Sequence, residues 1–179
     1  LFRLTNPDMG SHSFAASSTV TSTHRITRIT EKPSYPPQVP ASVERYLQSS
    51  QFIDSDSQTV INTASRLAQG EDDLLRVLHT LGDWTRQNIN YSLQTYTADV
   101  TQKASWVLEN RTGVCDEITA LFIAMTRSLG IPARYVSGVA YTNYQGIDDW
   151  GPHAWAEVYV PEHGWLPYDV TYGQFGFLD

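Results

Sequence analysis

The stretch "GVCDEITALFIAMTRSLGIPAR" (residues 113–134) decides how the rest of the sequence is interpreted. It contains Cys115, the one cysteine among 179 residues. Beyond the cysteine, apolar residues recur at helical spacing, and the stretch closes with Gly130 and Pro132, which typically end helices. The pattern therefore predicts a helix with the cysteine at its N-terminus. The apolar positions behind this prediction are Ile118, Leu121, Phe122, Met125 and Leu129.

The segments on the two sides of this helix differ in character. Three segments before it have amphipathic or short helical patterns: 54–70, 71–89 and 102–110. Three segments after it are aromatic and β-branched runs separated by Gly, Pro and Asp, as is typical of antiparallel strands: 133–141, 153–160 and 165–172. Helices followed by strands predict an α+β domain with helices packed on an antiparallel sheet.

A domain boundary is predicted near residue 42. Residues 18–30 are rich in Ser, Thr and β-branched side chains, which favours an extended arm. Residues 31–42 contain four prolines, a spacing that excludes helix and favours a stiff connector. We therefore predict an N-terminal arm and linker over 1–42 and one folded domain over 43–179.

Composition narrows the classes of partner. The net charge of −7 and the pI near 5.1 argue against binding to nucleic acid. No window reaches the roughly 18 apolar residues needed to span a bilayer. Because the chain begins without Met or a signal peptide, we expect a piece of a longer protein. The sequence does not determine the cellular compartment of the protein, and we favour an extracytoplasmic one.

Cys115 is a candidate nucleophile because of its position. The positive end of a helix dipole and the unpaired N–H groups there favour thiolate and can receive an oxyanion. A small buried hydrophobe is the alternative role for a lone cysteine. Asp116 and Glu117 follow directly and oppose thiolate formation by like charge, so a cationic partner is required.

His153 is the candidate partner, and Asp169 is the candidate carboxylate that orients it through Nδ1–H. With a period of two, His153 lies on the strand face opposite to the small apolar residues of 153–160. A structural histidine and a turn aspartate are the alternatives. His153 and Asp169 share a face only if the connection near 161–164 has an odd length or a bulge.

Three blocks of sequence in order carry a resemblance to a known family. They are "GVCDEITALFIAMTRSLGIPARYVSGVAY", "HAWAEVYV" and "GWLPYDVT". Over roughly residues 50–179 the chain resembles the transglutaminase-like superfamily, which has a papain-like fold. The resemblance implies Cys115 as nucleophile, His153 as general base and acid, and Asp169 as the orienting residue.

The same resemblance implies an activity. An amide of a protein or peptide substrate would form a thioester, which water or an amine acceptor then resolves, with no cofactor or metal; we expect hydrolysis. Trp155 would shape the site floor, and Tyr91 or Trp106 would donate to the oxyanion. A catalytically inert peptide-binding module of the same fold is one alternative. A metal site formed by Cys115, His153 and Asp169 is another, although the paired spacings typical of zinc ligands are absent.

Overall fold

The computed structural model describes residues 29–93, 101–144 and 147–176, with isolated positions before residue 29 and only the backbone within 142–149. A short 3-10 helix, Glu44–Leu47, precedes the regular elements. The helices are α1 (Gln58–Leu67), α2 (Leu74–Asn88), α3 (Ala104–Asn110) and α4 (Cys115–Ser128). The strands are β1 (Asn90–Tyr91), β2 (Thr112–Gly113), β3 (Ala133–Tyr144), β4 (Ile147–Val160), β5 (Gly164–Asp169) and β6 (Gln174–Phe175). The predicted α+β class with an antiparallel sheet is confirmed.

Helix α4 forms the centre of the molecule. Every residue from Glu117 to Met125 is buried, and so is Thr126, as expected for a helix that is covered on all sides. The other helices pack around it, and β3 and β4 lie on it. Thr119 Oγ1 donates a hydrogen bond to the carbonyl oxygen of Ala154 at 3.1 Å. This bond joins the first turns of α4 directly to strand β4.

Helix α2 shows why the amphipathic segments fold as predicted. Asp73 caps the helix, because its Oδ1 accepts hydrogen bonds from the amides of Leu75 at 2.9 Å and Arg76 at 3.3 Å. The apolar residues of its inner face are fully buried: Leu74, Val77, Leu78 and Leu81.

The four-stranded sheet has the order β3-β4-β5-β6 and is antiparallel throughout. On β4 the alternate residues Ala154, Ala156 and Val158 are buried against the helices, as the period of two predicts. The β4–β5 connection is residues 161–163, between paired Val160 and Gly164. This odd length meets the condition stated in the sequence analysis, and it puts His153 and Asp169 on the same face of the sheet.

A second, parallel pairing was not predicted. β1 pairs with β2, with Asn90 opposite Thr112 and Tyr91 opposite Gly113. The amide of Ser92 also donates to the carbonyl of Gly113 at 3.0 Å. These bonds fix the chain after α2 to the residues that lead into α4, just before Cys115.

The described part of the predicted linker lies on the domain. The amide of Tyr35 donates to the Asp72 carbonyl at 2.9 Å, and the amide of Leu74 donates to the Pro33 carbonyl at 2.9 Å. Lys32 forms an ion pair with Asp72, and Tyr35 packs against the core. Most of the predicted arm at 18–30 lies outside the described residues, and the boundary near 42 stays a prediction.

Removal of the arm and linker should leave the domain folded. For a chain that begins at Ala41, we expect a free energy of unfolding within about 2 kcal/mol of the full chain, the scale of one or two ordinary mutations. The described contacts of the linker are few: two backbone hydrogen bonds, one exposed ion pair and the packing of Tyr35. Urea unfolding of the two chains measures the difference. A truncated chain that fails to fold would show that residues before 41 belong to the domain core.

Candidate active site

Cys115 is the first residue of α4 and is partly exposed. The strand pair β1–β2 holds the two residues before the Val114 N-cap, and the first helical bond runs from the Ile118 amide to the Val114 carbonyl at 2.9 Å. The thiol is therefore presented at the end of a helix whose first turns are packed on all sides.

Glu117 adopts a conformation that limits the charge repulsion expected at the thiol. Its side chain is 1% exposed. One carboxylate oxygen accepts from the Val114 amide at 3.1 Å, and the other accepts from the Gln102 amide at 3.0 Å. The carboxylate is thus directed at backbone donors before the helix. Burial, followed by the charge of Glu117, raises the pKa of Asp116. A raised pKa favours the neutral carboxylic acid, so Asp116 disfavours a thiolate at Cys115 less than an ordinary carboxylate would.

Loss of the Glu117 carboxylate should destabilise the fold. We expect Glu117→Ala to lower the free energy of unfolding by about 2–4 kcal/mol, because two largely buried amides lose their acceptors. Asp116→Ala is the matched control, since Asp116 accepts only from the adjacent Glu117 amide at 2.9 Å among its described bonds; its loss should be below about 1 kcal/mol. Equal losses in urea unfolding would contradict this assignment.

His153 and Asp169 form a buried pair. His153 Nε2 lies 2.6 Å from Asp169 Oδ2, and the two side chains are 7% and 3% exposed. The second oxygen, Oδ1, accepts from the amides of Thr171 at 3.0 Å and Tyr172 at 2.9 Å. Because three donors hold the carboxylate, it in turn fixes the imidazole plane.

The contacting ring nitrogen differs from the prediction. Asp169 was expected on Nδ1, by analogy with serine triads, and it contacts Nε2. Nδ1 is consequently the nitrogen left for Cys115, whose side chain is close enough to His153 to influence the pKa of the imidazole. Burial lowers the His153 pKa, but the interactions of the ring with Asp169 and Cys115 outweigh it and raise the pKa to about 9. The ring therefore carries the positive charge near neutral pH that the thiol requires.

This raised pKa predicts a pH-dependent stability. The folded pKa of about 9 exceeds the ordinary 6.5, so the stabilisation is complete below about pH 6.5 and is lost as pH rises towards 9. We expect the difference in unfolding free energy between the wild type and His153→Gln to shrink from pH 6 to pH 9 in urea titrations. A difference that stays constant with pH would show that the raised pKa is wrong.

Two aromatic rings stack on His153. Tyr172 has its ring centroid 4.7 Å away, and Trp155 has its centroid 6.3 Å away. Trp155 lies directly over Gly138, where an added Cβ would come within 2.7 Å of its ring. Trp155 was predicted to shape the site; its ring lies beside the imidazole, and its role stays a prediction. Tyr172 was missed, because nothing in the pattern of "YDVTY" indicates that the turn after Asp169 folds back over the imidazole.

The two remaining candidates lie in different surroundings. Tyr91 is half-exposed on β1, opposite Gly113 and so beside the entry to α4. Trp106 packs against the hydrophobic core from α3. Tyr135 was not predicted, yet burial and the charges of Asp116 and Cys115 raise its pKa to about 12, so it lies near the thiol.

Asp169 contacts Nε2 of the imidazole directly, an arrangement that does not suit a metal ion shared by the two side chains. In the described ranges, no group of three or more His, Cys, Asp or Glu is arranged to hold a metal. No helix among the described residues is long and apolar enough to cross a bilayer. The chemistry available here is that of a thiol, an imidazolium and a carboxylate.

The protein is thus an α+β domain in which Asp169 holds His153 and Cys115 begins the central helix. The family model of the transglutaminase-like superfamily matches residues 61–170. The chain belongs to the transglutaminase-like superfamily.

Similar proteins include two bacterial relatives and one solved structure. The uncharacterised YebA protein of Bacillus subtilis is 28% identical over 144 residues, which are 73% of this chain. A protein-glutamine gamma-glutamyltransferase of Pseudomonas aeruginosa is 34% identical over 73 residues, or 37% of this chain. A crystal structure from Cytophaga hutchinsonii, named as a candidate cysteine protease, superposes with a TM-score of 0.64 over 75% of this chain at 25% identity. The chain spans only 19%, 11% and 44% of these three proteins.

Proposed function

We propose that this chain is a cysteine-dependent enzyme that cleaves or transfers amide bonds of proteins or peptides. The position of the thiol at a helix N-terminus near an imidazole that Asp169 holds, and whose pKa is raised to about 9, is the observation that carries the proposal. Membership of the superfamily supports it, as do the relative named as a glutamyltransferase and the similar structure named as a candidate cysteine protease.

In the first half-reaction, the Cys115 thiolate attacks the carbonyl carbon of the amide, and a C–S bond forms. The amide C–N bond then breaks, and His153 donates its proton from Nδ1 to the departing amine. The product is a thioester on Cys115 and a neutral imidazole. Asp169 stays ionised and keeps the other ring proton on Nε2.

In the second half-reaction, neutral His153 takes a proton from the incoming nucleophile at Nδ1. Water gives a carboxylic acid, and an amine gives a new amide; in both cases the C–S bond breaks and the thiolate–imidazolium pair returns. We favour hydrolysis, because water is always present and no described feature selects an amine.

The tetrahedral intermediates need donors for their oxyanion. The amide of Cys115 lies in the first turn of α4, where N–H groups have no intrahelical acceptor, and it suits this role. We assign the second donor to Tyr91 in preference to Trp106, because Tyr91 is half-exposed beside the entry to α4 and Trp106 packs against the core.

Trapping of the acyl-enzyme tests the proposal. The chain is mixed with a tryptic peptide pool, quenched in acid within seconds, and analysed by intact-mass and peptide mass spectrometry. We expect peptide adducts on Cys115 that hydroxylamine removes, and none on the Cys115→Ala chain. In H₂¹⁸O, one ¹⁸O in each new carboxylate indicates hydrolysis, and added alkylamine in the product indicates transfer.

A peptide-binding module without catalysis is the second candidate, since binding a peptide needs no reactive thiol. It predicts retention of peptides from the pool by the chain and by Cys115→Ala alike, with no covalent adduct in either. The His153–Asp169 pair near Cys115 favours the enzyme hypothesis, because peptide binding alone does not require such a pair.

A further inference from the structure

A groove of about 320 Å³ lies beside the candidate active site, and of its lining residues only Tyr91 has a part in the mechanism above. Several of its lining residues are close, in sequence or in the sheet, to Cys115 or Asp169. Ile118 follows Cys115 by three residues, Thr171 follows Asp169 by two, and Tyr91 is paired with Gly113. The groove therefore lies where parts of a substrate next to the reacting amide would extend.

The groove has an apolar floor and a cationic rim. Buried Ile89, Ile118 and Val170 supply the floor, and Arg86 at the end of α2 supplies the charge. An apolar surface with a few polar groups at its edge is typical of a site for one side chain of a ligand.

Arg86 is held against the turn that supports Asp169. A Cβ added at Gly173 would lie 2.8 Å from Arg86 Nε, so the side chain passes directly over that backbone. Gly173 has a φ of 74° and its amide donates to the Asp169 carbonyl at 2.8 Å. The guanidinium is thus placed between the groove and the turn.

No acidic side chain neutralises this guanidinium within the part of the chain that the structure describes. Asp83, one turn earlier on α2, forms no ion pair with it, and the four recorded ion pairs join other residues. The neighbouring Arg111 likewise lies over the Trp84 ring, 4.7 Å from its centroid. The Arg86 guanidinium is therefore available to pair with an anionic group of a ligand.

We propose that this groove is a substrate subsite, in which Arg86 selects a carboxylate close to the reacting amide. The inference rests on the proposed function, and it names the chemical class of the substrate: an acidic peptide, through an Asp or Glu side chain or a free C-terminal carboxylate. A planar guanidinium can pair with either through two parallel hydrogen bonds.

Reactive probes test the subsite without knowledge of the natural substrate. N-chloroacetyl-glutamine amide carries no carboxylate, N-chloroacetyl-glutamate α-amide carries a side-chain carboxylate, and N-chloroacetyl-glutamine carries a terminal one. Cys115 displaces chloride and forms a thioether. A second set of acetyl-aminoacyl chloromethyl ketones, with Glu or Gln, places the residue on the other side of the reactive carbon. The second-order rate of alkylation is measured by intact mass.

We expect one carboxylate probe to react about fivefold faster than its neutral partner, equivalent to about 1 kcal/mol, and the advantage to shrink in 0.5 M salt. Arg86→Gln should abolish the faster reaction of the carboxylate probe, and Arg86→Lys should retain part of it. Arg76→Gln, on the same helix and ion-paired with Asp73, should change nothing.

The outcomes distinguish failure of the subsite proposal from failure of the proposed function on which it rests. Equal rates for charged and neutral probes in the wild type, with Cys115 still reactive, would overturn the subsite and leave the enzyme proposal standing. An Arg86→Gln chain that slows all probes equally would show a structural role at the Asp169 turn and would also overturn it. No alkylation of Cys115 by any probe would overturn both.

Discussion

Cys115→Ala should abolish amide cleavage and transfer, with activity reduced to the background of the assay. The thiolate supplies the attacking electron pair, and neither His153 nor Asp169 can replace it in forming a thioester. The side chain is only partly buried, so its loss removes little packing. The measurement is release of amine from the peptide pool that yields adducts in the trapping experiment, together with urea unfolding of both chains.

Two further variants make the result specific. Cys115→Ser keeps a nucleophilic atom of similar size but forms no ion pair with imidazole near neutral pH, so it should be almost inactive as well. Ser128→Ala, at the other end of α4, should retain full activity. Residual turnover by Cys115→Ala above that of a heat-unfolded sample would show that another group is the nucleophile.

Asp169→Asn should reduce kcat by about 10²- to 10⁴-fold. The amides of Thr171 and Tyr172 both donate to one carboxylate oxygen, so the Asn carbonyl must turn towards them. Its NH₂ group then faces Nε2, which can no longer carry a proton in the neutral ring. The proton moves to Nδ1, where the thiol needs an acceptor, and the charge that stabilised the imidazolium is lost.

Kinetics with one substrate separates this effect from a dyad mechanism. His153→Ala should be inactive, and Asp169→Asn should also slow alkylation of Cys115 by iodoacetamide at pH 6–7. If Asp169→Asn keeps nearly full activity while His153→Ala is inactive, the enzyme uses a cysteine–histidine dyad, and Asp169 only supports the turn.

The order of the elements and the face of each strand could be predicted, because both follow from local periodicity. Helix α4 is an example: its apolar spacing and the Gly130–Pro132 stop determine its ends. The shared face of His153 and Asp169 could be stated as a condition on loop length, and residues 161–163 meet it. The family resemblance added the candidate roles of the three side chains.

The features that could not be predicted depend on three-dimensional neighbours. Which imidazole nitrogen meets Asp169 depends on the χ angles of both side chains, and sequence spacing contains no information on them. The parallel β1–β2 pairing involves only two residues from each strand, too few for a periodic signal. Glu117 was interpreted as a repelling charge because its two backbone donors, one of them fifteen residues away, come together only in the fold.

The short paired part of β5 between Gly164 and Asp169 has a consequence for how such genes can diverge. A residue inserted in the 161–163 connection only lengthens a loop, and the pairing of β5 with β4 is unchanged. A residue inserted or deleted between Gly164 and Asp169 puts every later residue of β5 on the opposite side of the sheet, so Asp169 would exchange sides with Tyr168. One codon would then take the carboxylate away from His153 and turn it towards the helices. Descendants of this sequence should therefore vary in length at 161–163 and keep the spacing from Gly164 to Asp169, unless a bulge absorbs the change.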